Sequence, residues 1–258
     1  LRVILSALQA DPVWDKLDII PAEQVDRSVI ELIHDPGYIE SLQAQIESGA
    51  LFIGTMDCIV SARSFEVAEH AVGGMLALTK KVSSGELKNG FGLVRPPGHH
   101  AERGQAAGVC YFNNVAICAE YLVRHENYQR VLIMDYDVHH GNGTQHSFES
   151  RKDVFYCSIH ENPAVCYPGT GFQNETGIGE GQGYTRNVPM RSFSGDDEYL
   201  QVLEETFIPA GREYKPDIVL ISVGYDAHRD DPLARISITE TTYKAYVEAL
   251  CQIAAEFS

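Results

Sequence analysis

The sequence predicts a single α/β domain with a mainly parallel β-sheet flanked by helices on both faces. Three observations predict it. Short, almost wholly apolar runs at Val131-Leu132-Ile133-Met134, Asp153 to Ile159 and Ile218 to Ile221 suit strands buried on both faces. Stretches of helical periodicity lie between them, the alternation that builds parallel sheets. No repeat or low-complexity linker divides the 258 residues, a length that suits one large domain.

Taken in order, residues 1–50 are helical in pieces, with a break at Asp35-Pro36-Gly37 and a helix from Tyr38 to Ser48 that stops at Gly49. Asp57 to Arg63 is loop-like. Ser64 to Val82 is a long helix, with apolar residues at Phe65, Ala68, Val72, Met75 and Leu76. Phe91-Gly92-Leu93-Val94 is a short strand, and the prolines and glycine of Arg95-Pro96-Pro97-Gly98 end it. Residues 101–112 form a loop, Asn113 a helix cap, and Asn114 to His125 the helix. The strands at Val131 and Asp153 follow. Pro163 to Gly183 is glycine-rich and irregular, a kind of long loop that is often functional. Tyr184 to Val188 is a strand, Asp196 to Tyr214 a helix with acids in its first turn, Pro216 to Ser222 a buried strand, and Thr239 to Phe257 the last helix.

The apolar (44%) and charged (22%) fractions are those of an ordinary globular protein and exclude a disordered chain. A formal net charge of -16 argues against direct nucleic-acid binding, which needs clustered Lys and Arg. It is compatible with cationic substrates, though solubility alone accounts for it. The six cysteines form no CxxC pair and read as reduced thiols. No apolar run approaches the ~20 residues of a membrane helix. Leu1-Arg2-Val3-Ile4 carries no signal-peptide pattern and does not begin with Met, so the start is expected to have been removed. Without a basic import cluster the default compartment is the cytoplasm, or the nucleus if the source is eukaryotic.

Three strands end in polar clusters: His99-His100, Asp135 to His140, and Tyr225 to His228. Parallel strands bring their carboxyl ends to one edge, where open α/β sheets bind ligands. Asp137 and His139 share a face at i, i+2 spacing and, with Asp226, supply two carboxylates and an imidazole. Three protein ligands with an open position hold a catalytic zinc. One neighbouring histidine can serve as base and then as acid, and Asp135 can orient a histidine from behind. His34, His70, His125 and His146 read as surface or helix-end residues, and His160 and His228 as structural neighbours. Cys110 reads as packing, and no Gly-x-Ser-x-Gly elbow surrounds Ser158 or Ser222.

The segments RPPGHHA, DYDVHHGNGTQ, YPGTG and GYDAHRDDPLA together resemble the zinc-dependent histone deacetylase and acetylpolyamine amidohydrolase family, with a bacterial or class II-like cast. The likeness runs in order through nearly the whole chain and implies the arginase/deacetylase fold. It implies one zinc on Asp137, His139 and Asp226. It implies His100 as main base and acid, backed by Asn142, and His99 as charge stabiliser, backed by Asp135. It further implies a structural potassium ion on Asp135, Asp137, His139, Ser158 and the backbone oxygen of Ile159. Substrate contacts would come from Asp57 at the rim, from Gly108 and Val109 on one tunnel wall and from Tyr167 on the other. Val109 stands where the family usually has an aromatic residue. The family's transition-state tyrosine lies in a Gly-rich loop beyond the helix that here ends near Phe257, and no Gly-Gly-Tyr segment occurs in these 258 residues. The expectation is a chain trimmed at both ends. Loss of such a donor costs ~10²–10³ in turnover.

Three functions compete. The first is a zinc amidohydrolase that removes an acetyl group from acetyl-lysine in a protein or peptide, or from an acetylated polyamine. The second is a non-catalytic acyl-lysine-binding or scaffold member. The third is a binuclear manganese ureohydrolase, disfavoured by Gly141 after His140 and by His228, where a second metal would want carboxylates. Oligomeric state is not legible.

Overall fold

The computed structural model describes residues 1–257. Helix α1 (Arg2–Ala10) buries none of its side chains. Helices α2 (Arg27–Ile30) and α3 (Pro36–Glu47) follow, α3 starting on a proline that needs no N–H partner in the first turn. Strands β1 (Phe52–Ile53) and β2 (Thr55–Ile59) form a small antiparallel hairpin. Helix α4 (Ser64–Ser83) comes next. Helix α5 (Asn114–His125) is capped by Asn113, whose side-chain oxygen accepts the Ala116 N–H at 3.1 Å.

The central sheet begins with β3 (Val131–Asp135). After α6 (Asn142–Phe148) and β4 (Val154–Glu161) comes β5 (Thr185–Met190). Helices α7 (Asp196–Val202) and α8 (Ile208–Tyr214) lead to β6 (Ile218–Ser222), and α9 (Glu240–Phe257) closes the described chain. The four strands are parallel, in the order β5-β4-β3-β6.

Alternation along β3 and β4 divides the core in two. Val131, Ile133, Val154 and Tyr156 pack under α2 to α5. Leu132, Met134, Phe155 and Cys157 face α7 to α9. Helices thus cover both faces, as a sheet of continuously apolar strands requires. The register sets Asp135 beside Ser158 on β4 and Ser222 on β6, so polar residues line up across the sheet where β3 and β6 end.

Three expectations need correction, and one element has no counterpart among them. Phe91 to Val94 is not a strand: it runs along α4, its Gly92 against Met75, and joins no ladder. Asp57 to Ile59, the first part of the expected Asp57–Arg63 loop, belong to the strand Thr55–Ile59; its mostly exposed side chains leave no alternation to read. Asn142 to Phe148, for which the sequence predicts no element, is a helix. The helix expected from Asp196 to Tyr214 is interrupted by a π-helical turn at Leu203–Phe207, just before Pro209. Proline has no N–H for the carbonyl four residues back, and a wider turn absorbs the mismatch.

Candidate active site

Asp137, His139 and Asp226 meet just beyond the carboxyl ends of β3 and β6. One ligand atom from each lies within 4.8 Å of the others, and among the described residues this is the one such grouping of potential metal donors. His139 Nδ1 lies 3.0 Å from both the Asp137 and the Asp226 carboxylates. Backbone N–H groups fix the two acids: Asp137 accepts from His139 at 2.8 Å, and Asp226 from Val138 at 3.0 Å. Burial opposes a charge on His139, but hydrogen bonds to Asp137 and Asp226 overcome it and lift its pKa to about 10. A site that draws a proton this strongly onto one imidazole between two carboxylates suits a divalent cation.

His99 and His100 stand beside this cluster, their ring centroids 4.0 Å apart. His100 is 5.9 Å from the His139 ring. Each is backed by a different partner. His99 Nδ1 is 3.0 Å from Asp135, which also accepts the Tyr156 hydroxyl at 3.2 Å. His100 Nδ1 is 2.7 Å from the side-chain oxygen of Asn142. Burial works against charge on both rings. At His99 the Asp135 and Asp137 carboxylates outweigh it and raise the pKa to about 9. At His100 burial dominates, reinforced by charge on His99, and holds the pKa down to about 2. The pair is therefore polarised into one ring that favours a proton and one that stays neutral.

Tyr167 closes one side, its ring centroid 4.9 Å from His100 and 6.2 Å from His139. Gly108 lies against His100 with φ +54, and a Cβ there would come within 2.2 Å of the imidazole. Val109 follows, also left-handed at φ 57 and partly exposed. Asp57 is exposed on β2, and its charge, after burial, contributes to the raised pKa of Tyr167. Ser158 is buried in β4 beside Asp135, and Ile159, also buried, follows it along the strand.

A family model of the histone deacetylase domain matches residues 1–258. The chain belongs to the histone deacetylase family. It is 38% identical to histone deacetylase 14, chloroplastic, of Arabidopsis thaliana, over 87% of this chain and 55% of that protein. It is 34% identical to a probable deacetylase of Archaeoglobus fulgidus, over 94% of this chain and 67% of that protein. The crystal structure of the HDA15 HD domain superposes with a TM-score of 0.93 at 34% identity, covering 99% of this chain and 75% of that one. The chain thus spans little more than half of the plant relative's length.

In this histone deacetylase family chain, several site-building residues escape a reading of motifs. His34 is fully buried, not on the surface. It accepts the Asn113 N–H on Nε2 at 2.9 Å, so its Nδ1 carries the proton and donates to the Glu102 carbonyl at 2.9 Å. Glu102 then reaches Asn142 with its side chain, 2.5 Å from Nδ2. His160 donates from Nε2 to the Gly171 carbonyl at 2.9 Å, and His140 bonds Thr170 at 2.9 Å. Both pin the loop that carries Tyr167, which makes them supports rather than ligands.

Proposed function

We propose that the chain carries the site of a zinc-dependent amidohydrolase that removes an acetyl group from an amine, either an acetyl-lysine side chain or an acetylated polyamine. The observation that carries this reading is the convergence of Asp137, His139 and Asp226 beside two histidines backed by unlike partners. The three donors would hold one zinc, which supplies Lewis-acid polarisation of the amide carbonyl and lowers the pKa of water. His100, neutral and with Nδ1 engaged by Asn142, takes the proton of the attacking water on Nε2 and delivers it to the leaving amine. His99, hydrogen-bonded to Asp135, would stabilise the negative charge that grows on the carbonyl oxygen. Tyr167, Gly108 and Val109 shape the acyl channel, and Asp57 grips the substrate at the rim.

A structural potassium ion on Asp135, Asp137, His139, Ser158 and Ile159 belongs to the same proposal. The Ser158 hydroxyl donates to His160 Nδ1 at 2.8 Å, because Nε2 of that ring already donates to Gly171. The serine oxygen therefore keeps its lone pairs for a cation. We also propose a cytoplasmic location, and the net charge of -16 disfavours nucleic acid as a partner.

The test is hydrolysis of an acetyl-lysine peptide and of an acetylated polyamine by the zinc-loaded full-length protein, with His100→Ala alongside. Turnover that falls by ~10²–10⁴ in the variant while zinc is retained supports the assignment. Zinc binding without turnover on any acetylated amine sinks it in favour of a binding module.

A further inference from the structure

The proposed base, His100, works only if Nε2 lacks a proton, which requires Nδ1 to carry it. Asn142 does not enforce this by itself. An amide presents an acceptor oxygen on one side and a donor nitrogen on the other. With its oxygen toward His100, as found at 2.7 Å, the ring is protonated on Nδ1. Flipped, its NH₂ would face the ring, Nδ1 would have to accept, and the proton would move to Nε2. The His100 carbonyl, 3.5 Å from Asn142 Nδ2, is too distant to settle the orientation, so the choice falls to what stands on the far side of the amide.

Glu102 stands there, with Oε1 2.5 Å from Asn142 Nδ2. A carboxylate only accepts, so it admits only the NH₂ side of the amide. The carboxylate is itself held in place. His146 Nδ1 lies 2.9 Å from the same oxygen. The Glu102 backbone is fixed by the His34 bond to its carbonyl at 2.9 Å and by its N–H bond to the Gln105 carbonyl at 2.9 Å. We infer that Glu102 is a positioning residue that sets the tautomer of His100 by dictating the orientation of the Asn142 amide. The inference rests on the proposed role of His100, yet the tautomer itself is measurable without turnover.

Glu102→Gln tests it. The introduced side chain can accept from Asn142 Nδ2 or donate to Asn142 Oδ1, so both amide orientations become available and His100 should populate both tautomers in measurable amounts. Adding Asn142→Asp to the same chain should restore Nδ1–H, because an aspartate accepts from His100 whichever way the introduced glutamine amide turns. The readout is long-range proton–nitrogen correlation of ¹⁵N-histidine-labelled protein at mildly alkaline pH, with the His34 signal as a control for the fold. Wild type showing Nδ1–H, Glu102→Gln a mixture, and the double variant Nδ1–H again is the expected series. Wild-type His100 protonated on Nε2, or Glu102→Gln leaving a pure Nδ1–H ring, overturns the inference. A correct series without hydrolysis of any acetylated amine would leave the tautomer control standing and remove the proposed reaction alone.

Discussion

Lowering the pH should destabilise the fold through His34, by an amount that the structure bounds. The ring is fully buried and makes two bonds that require it neutral with the proton on Nδ1. Burial is the main cause that brings its pKa down from 6.5 to about 4. The folded state thus resists a proton that the unfolded chain accepts. The contribution is fully present above the unfolded value, fades as pH falls below 6.5, and is gone once pH has passed through about 4. At about 1.4 kcal/mol per pH unit, ~3 kcal/mol is at stake. Other buried histidines add to the same slope, so the measurement is a difference. His34→Gln keeps a donor and an acceptor but cannot charge. Urea unfolding of both proteins across this pH range should show the wild-type advantage shrinking by ~3 kcal/mol toward acid. An advantage that stays constant with pH would refute the assignment of His34 as a neutral buried link.

Two further predictions concern the frame of the site. A Cβ at Gly224 would lie 2.0 Å from Asp137 Oδ2 and 2.7 Å from Asp226 Oδ1, so Gly224→Ala should weaken zinc binding by roughly tenfold or more, as other disturbances of ligand support do, with little change in melting temperature. Unaltered affinity by competition with a chelator would count against the observed carboxylate positions. Asp196 accepts from Thr239 N–H and Oγ1 at 2.8 Å each and from Thr242 Oγ1 at 2.5 Å, tying α7 to the start of α9; Asp196→Ala should cost ~2–3 kcal/mol, and an unchanged thermal melt would show that the tie is dispensable.

The parts legible in the sequence are those governed by local pattern. Val131 to Met134 and Ile218 to Ile221 read as strands because both faces are apolar, and Asp137 and His139 read as a pair because strand geometry puts i and i+2 on one side. Asp226 joined them because parallel strands share an edge. What escaped depends on contacts distant in sequence. Phe91 to Val94 has strand composition but lies on α4 rather than in the sheet. The Thr55–Ile59 strand is exposed on most positions and left no period-two signal. His34 reads as a surface residue until Glu102, 68 positions later, is brought beneath it. Glu102 is an ordinary loop acid until α6 lays Asn142 against it.

All of the proposed chemistry depends on a single metal held by Asp137, His139 and Asp226. Native mass spectrometry of the zinc-loaded protein beside His139→Ala and Asp226→Ala tests this without recourse to turnover. One zinc per wild-type chain, and none in either variant under the same conditions, is the expected result. Two metals per wild-type chain, or one zinc retained after either substitution, would contradict it.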